Sequence, residues 1–315
     1  MRLWAGLDVG GTTMKAAVLT DEGHVVARLE RDTEAWRGTE AVLDRMVLLV
    51  REVVRKAGGR FQELGGVGVG LPAFLDFERG VVVEAINIGW RDVPIVRELR
   101  RRFGDIPFAV DNDANAAAIG EAFLGAGKGF SSALCLTLGT GIGSGLVVEG
   151  RLWHGSTGMA GEIGHITVDP KGRWCNCGRR GCLETIASAT GIVREVQERL
   201  AQAERTLDAR QVFQAAAAGD PVAQGAVDTA IDRLGFVLAN VGATVNPQVM
   251  VVGGGVSAGG ERLLFPLRAA FARYALPRVL KGTTIRLAQL GKEAGVIGAA
   301  LLQKGDSHDT MGGVE

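Results

Sequence analysis

Leu3-Trp-Ala-Gly-Leu-Asp8-Val-Gly10-Gly11-Thr12-Thr13-Met-Lys15-Ala-Ala-Val-Leu-Thr20 places two short apolar runs on either side of a glycine–threonine turn. Runs of this length around such a turn read as a β-hairpin. The same layout returns at Ala133–Leu138, Gly139-Thr140-Gly141-Ile-Gly143 and Gly145–Val148. It recurs as architecture and does not amount to a sequence repeat. Around each hairpin, strand-like and helix-like segments alternate, the signature of two tandem α/β domains.

In the first half, Val25–Leu29 is a third strand. Val42, Met46, Val50 and Val53 recur at helical spacing between Ala41 and Val54. Val67-Gly-Val-Gly70-Leu-Pro72 reads as a strand ending in a loop, Pro94–Phe103 as a helix opened by proline, Phe108–Val110 as a strand and Ala114–Phe123 as an alanine-rich helix. In the second half, helices are expected over Ser188–Leu200, Asp208–Ala218, Pro221–Val245 and Glu261–Tyr274, with strands at Val249–Val252 and Thr284–Leu287. A last helix, at about 295–305, is expected to pack back on the first half. The boundaries are therefore 1–113 and 114–294, and the polar tail after Gly305 frays.

Lys plus Arg and Asp plus Glu number 35 each in 315 residues, so no net field draws the chain to nucleic acid or a membrane surface. Residues 129–148 carry no charge, but five glycines interrupt them, which fits two strands and a turn better than a membrane span. The N-terminal apolar run is too short for a signal peptide. The 47 glycines cluster at strand ends, where backbone can approach a ligand closely. The cytoplasm suits cysteines of this kind.

Three of the four cysteines, Cys175, Cys177 and Cys182, lie within eight residues, and His165 stands ten positions upstream. Three thiolates and an imidazole make a closed tetrahedral set for zinc. The alternatives are free thiols or a disulfide, although Cys175 and Cys177 are too close in sequence to bridge easily. Cys135, inside an apolar strand, reads as a small core side chain. Glu162 and Glu184 bracket the loop, to accept hydrogen bonds from sugar hydroxyls or to hold the loop through Arg179 and Arg180. His24, His154 and His308 lack a ligand set and read as surface or turn residues.

Three glycine turns follow strands: Gly10-Gly-Thr-Thr13, Gly139-Thr-Gly-Ile-Gly143 and Gly253-Gly-Gly255. Each is either a tight turn or a ring of N–H donors for a phosphate. Asp8 is either a magnesium-linked carboxylate or a turn cap. Asp113, at a strand-to-helix junction, is either an N-cap or a base for a hydroxyl proton in phosphoryl transfer.

Taken together, Asp8-Val-Gly-Gly-Thr-Thr-Met-Lys15, Gly68-Val-Gly-Leu-Pro72, Asn112-Asp-Ala-Asn115, Glu162-Ile-Gly-His165, Cys175-x-Cys177-Gly-x-x-Gly-Cys182-x-Glu184 and Val252-Gly-Gly-Gly-Val256 resemble the ROK family of repressors and sugar kinases, most closely its glucokinase-like members. The resemblance covers nearly the whole chain. It implies an α/β, actin-like ATPase (ribonuclease H-like) fold, two domains around a catalytic cleft. The activity it implies is ATP-dependent phosphorylation of a hexose, commonly at the 6-hydroxyl. It also implies Asp113 as general base, with Asn87, Asn112, Glu162, His165 and Glu184 on the sugar and His165, Cys175, Cys177 and Cys182 on structural zinc. Asp8 would serve magnesium. Gly10, Gly11, Thr12, Thr13, Lys15, Gly139, Thr140, Gly141 and Gly143 would hold ATP phosphates, with Gly254 and Gly255 near the adenosine. Homodimers and homotetramers are common in the family. Ala73 departs from a frequent glycine next to the expected sugar site, which leaves fructose, mannose, N-acetylglucosamine and N-acetylmannosamine beside glucose. A sugar-sensing repressor is the rival reading, but Asp8 lies eight residues from the start and leaves no helix-turn-helix ahead of it.

Overall fold

The computed structural model describes residues 2–200 and 207–304; the expected fraying tail and His308 lie outside them. In chain order the elements begin β1 (Leu3–Val9), β2 (Thr13–Thr20), β3 (Val25–Asp32), α1 (Thr39–Lys56), β4 (Leu64–Leu71), β5 (Phe74–Asp76), β6 (Val81–Ala85) and β7 (Trp90–Val93). They continue α2 (Ile95–Phe103), β8 (Phe108–Asn112), α3 (Asp113–Leu124), β9 (Ala133–Leu138), β10 (Ile142–Val148), β11 (Arg151–Leu152), α4 (Glu184–Ala187), α5 (Ala189–Arg199) and α6 (Ala209–Ala217). The last are α7 (Pro221–Thr244), β12 (Val249–Gly253), α8 (Glu261–Tyr274), α9 (Pro277–Gly282), β13 (Thr284–Leu287) and α10 (Ala294–Leu302). The expected 188–200 helix is α5, capped by Ser188, which accepts the Gly191 N–H at 3.0 Å; the single turn of α4 before it was not expected. No described helix is long and apolar enough to cross a membrane.

Residues 2–129, 145–160 and 292–304 group as one compact unit, and 130–144 with the described part of 161–291 as a second. Sequence placed the boundary at Asp113; in the structure α3 sits in the first unit, against α10. The first unit holds a sheet in the order β3-β2-β1-β4-β8, with β1, β4 and β8 parallel and the two hairpin pairs antiparallel. A small antiparallel sheet, β5-β6-β7, was not foreseen, because its strands are only three to five residues long. In the second sheet, β11-β10-β9-β12-β13, strands β9, β12 and β13 are parallel.

Strand β4, Leu64-Gly-Gly-Val-Gly-Val-Gly-Leu71, is buried along its whole length, and alternation explains how. Val67, Val69 and Leu71 face the core that also holds Met46, Val50 and Leu99. On the opposite face the glycines let α10 lie directly on the strand. A Cβ on Gly68 would stand 1.7 Å from the Ala299 carbonyl oxygen, and one on Gly298 would stand 1.6 Å from that of Ala116. Both obstacles are backbone, so they cannot rotate away. Gly68→Ala is therefore expected to cost about 3 kcal/mol or more, read as a lowered midpoint in chemical denaturation.

Candidate functional site

In the first unit the Gly10–Thr13 turn is tight: the Gly10 N–H donates to the Thr13 carbonyl at 2.8 Å. Thr33 secures its back. The Thr33 hydroxyl donates to the Gly10 carbonyl at 2.7 Å and the Thr33 N–H to the Thr12 carbonyl at 2.8 Å. With its carbonyls engaged, the turn presents donors, which is what an anion requires. Exposed Asn87 is brought to this turn, since a Cβ on Gly11 would lie 2.8 Å from the Asn87 carbonyl oxygen.

Asp8, next to last in β1, pairs with Lys15, whose Nζ donates to the Lys292 carbonyl at 3.2 Å. Its carboxylate packs against the first turn of α10, 2.7 Å from where a Cβ on Gly295 would stand. Burial raises the Asp8 pKa, Lys15 lowers it and Glu293 raises it, with burial winning. A carboxyl whose pKa is raised by folding contributes stability below its unfolded value and loses it as pH rises through the folded value. Above its unfolded pKa, Asp8 therefore costs stability. Asp8→Asn is expected to raise the melting temperature at pH 7, with the gain disappearing below about pH 4 in a pH-dependent melting series.

At the β8–α3 junction Asn112, and not Asp113, is the N-cap. Its Oδ1 accepts the Ala114 N–H at 2.8 Å and the Asn115 N–H at 3.4 Å, and its Nδ2 donates to the Ala73 carbonyl at 3.1 Å. Asp113 is the first helical residue, half-buried, with one carboxylate oxygen accepting the Ala114 N–H at 2.8 Å. The capping reading of Asp113 thus passes to its neighbour, and one Asn112 amide hydrogen remains for a ligand.

In the second unit the Gly139 N–H donates to the Gly141 carbonyl at 2.9 Å, closing the second glycine turn. Sequence did not foresee the link from this turn to the cysteine loop. The Ile142 N–H donates to Glu184 Oε2 at 2.8 Å, while Glu184 Oε1 lies 3.8 Å from Cys175 Sγ. A Cβ on Gly141 would sit 2.3 Å from that same Oε2, so glycine is needed for the carboxylate to reach the turn. The third turn folds back on β9: Gly254 has φ +85°, and a Cβ there would meet the Leu138 carbonyl oxygen at 2.4 Å.

Glu162 leads into a short 3-10 turn, Ile163–His165, and buried Ser144, another group not singled out from sequence, donates its hydroxyl to the Gly161 carbonyl. Burial raises the Glu162 pKa, His165 opposes this and Glu184 reinforces it, so these three side chains share one electrostatic neighbourhood. Arg179 donates to the His165 carbonyl and the Arg180 guanidinium stacks on Trp174 at 4.4 Å. The arginines hold the loop through backbone and ring rather than through the two glutamates.

The ligand atoms of His165, Cys175, Cys177 and Cys182 all lie within 4.8 Å of one another. His165 Nδ1 is 3.6 Å from Cys175 Sγ, and Cys177 Sγ is 3.5 Å from Cys182 Sγ. Tetrahedral zinc, with bonds of about 2.3 Å to sulfur and 2.05 Å to nitrogen, sets those separations at about 3.6 and 3.8 Å. All four cysteines are free thiols, so the disulfide alternative falls away. Burial pushes the Cys182 thiol up to about 12, so a thiolate there calls for a cation beside it. Ligation through Nδ1, the nitrogen nearer Cys175, would leave His165 Nε2 for a second hydrogen bond.

Of the remaining candidates, Cys135 is a buried strand residue and His24 an exposed turn residue, as expected. His154 corrects the reading made for it. It is buried, 5% exposed, beside the fully buried Asp111.

The sequence pattern of the ROK family matches residues 4–306. A glucokinase of Halalkalibacterium halodurans is 44% identical over 96% of this chain and 95% of its own. Among solved structures, the ROK hexokinase of Thermus thermophilus superposes with a TM-score of 0.86 at 37% identity, covering 96% of this chain and all of its own. A ROK family glucokinase from Streptomyces griseus, solved in complex with glucose and AMPPNP, superposes at 0.79 with 34% identity over the same shares. The α/β architecture is the actin-like ATPase fold of such kinases. With a family-wide match from residue 4 to residue 306 and the cysteine loop, glycine turns and Asn112-Asp113 junction all in place, this chain belongs to the ROK family.

Proposed function

We propose that this protein transfers the γ-phosphoryl group of ATP to the 6-hydroxyl of glucose. The observation that carries the reading most directly is the β8–α3 junction, where Asn112 takes over capping and leaves the half-buried Asp113 carboxylate at the start of a helix. Asp113 accepts the 6-hydroxyl proton as that oxygen attacks the γ-phosphorus, and ADP departs from the opposite side. Asn87, the remaining N–H of Asn112, Glu162, His165 Nε2 and Glu184 bond the other sugar hydroxyls. The turns at Gly10–Thr13 and Gly139–Gly143, with Lys15, hold the phosphates through N–H, hydroxyl and ammonium donors, and Gly254 and Gly255 lie by the adenosine. Asp8 would hold magnesium, directly or through water, and the ion would supply positive charge against the phosphates. His165, Cys175, Cys177 and Cys182 hold a structural zinc.

The test is a panel of sugars at fixed ATP with coupled detection of ADP. Glucose is expected to give the highest kcat/KM. A preference for fructose, mannose, N-acetylglucosamine or N-acetylmannosamine would keep the chemistry and change the substrate, since a hydroxyl's orientation is decided by pocket shape. No ADP release with any sugar would overturn the kinase reading. The compartment proposed is the cytoplasm and the assembly a homodimer or homotetramer, the latter checked by sedimentation.

A further inference from the structure

Asp111 and His154 form a polar pair inside the first unit, at 0% and 5% exposure. His154 Nε2 lies 2.6 Å from Asp111 Oδ2. The other carboxylate oxygen, Oδ1, accepts the Asn112 N–H at 2.7 Å and the Asn115 side-chain N–H at 2.8 Å. Asp111 thus grips the chain on both sides of Asp113: the peptide N–H just before it and the side chain two residues after. The imidazole is itself confined. Its centroid is 4.6 Å from the Phe77 ring, Phe77 is backed by Gly158 where a Cβ would stand only 2.7 Å away, and the Ala160 N–H donates to the His154 carbonyl at 2.9 Å. Among the described residues Nδ1 of the ring is buried with no hydrogen-bond partner, so there the pair with Asp111 is the side-chain hydrogen bond that fixes the ring. A carboxylate can only accept, which puts the ring proton on Nε2.

We propose that His154 is a positioning residue for Asp113, acting through Asp111; the proposal rests on reading Asp113 as the base. Without the Nε2–H donor, Asp111 keeps a buried oxygen unsatisfied, and a buried acceptor in that state reorients toward whatever donor or water it can reach. Reorientation releases the Asn112 N–H and the Asn115 amide together. The Asp113 carboxylate then loses its placement against the substrate hydroxyl, where displacement by about 1 Å costs on the order of a hundredfold in rate.

The test compares wild type with His154→Phe, His154→Gln and His154→Asn in the coupled ADP assay, with thermal melting alongside. Phenylalanine keeps the ring against Phe77 and removes the donor, so kcat is expected to fall about tenfold or more while the ATP KM stays put. Glutamine carries an amide N–H to the same reach, and kcat is expected to return to within about threefold of wild type. Asparagine is one methylene short and is expected to stay slow, which keeps the test alive should the phenylalanine variant not fold. A folded Phe or Asn variant turning over within twofold of wild type overturns the proposal, as does a Gln variant no faster than Asn. Wild type with no turnover on any sugar overturns the kinase reading instead.

Discussion

Asp113→Asn is expected to lower kcat for glucose phosphorylation by about two to four orders of magnitude, the range for removing a general base. The substitution is isosteric, and the amide oxygen can still accept the Ala114 N–H that the carboxylate accepts at 2.8 Å. Asn112 supplies the helix cap, so the start of α3 keeps its cap in the variant. Glucose binding, read by calorimetry, should change little, because the lost interaction is one made as the proton moves. Turnover within tenfold of wild type would rule out Asp113 as the base.

Cys177→Ala is expected to lower the melting temperature and to raise the glucose KM about tenfold or more, the scale on which weakened metal sites lose affinity or activity. Cys177 is exposed, so truncating it opens no core cavity, and any large effect has to come through the cluster. From there the route to sugar is short. His165 would lose the restraint on Nδ1 that orients Nε2, and the loop at Cys175 would shift against Glu184, 3.8 Å from its Sγ, whose other oxygen accepts the Ile142 N–H of the second glycine turn. Protein purified without added metal should contain about one zinc per chain, measured by plasma emission spectroscopy, and a chelator should reproduce both effects. A variant that melts earlier but keeps its glucose KM would reduce the loop to a staple.

The closeness of His165 to Cys175, Cys177 and Cys182 was legible in sequence because they lie within eighteen residues, where spacing nearly dictates proximity. The glycine turns and the Asn112-Asp113 junction were legible for a similar reason: hairpin and helix-start geometry is set by neighbours along the chain. His154 was misread because nothing local marks it. Its partner Asp111 is 43 residues away, and only the packing of Phe77 and the β8–α3 junction around the ring makes the pair. The Glu184–Ile142 bond, spanning 42 residues, escaped in the same way.

Strand–turn–strand periodicity and residue spacing, both local properties, were enough to determine the α/β character, the doubled hairpin layout and the gathering of His165 with three cysteines. Tertiary structure alone decided what each glycine and buried polar group is for. In β4 the sequence shows glycines alternating with valines, but only the arrival of α10 gives the glycine face its purpose, with Gly68 leaving room for the Ala299 carbonyl. A side chain's chemistry is written in its residue type, whereas its partner is chosen by whichever distant backbone packs against it.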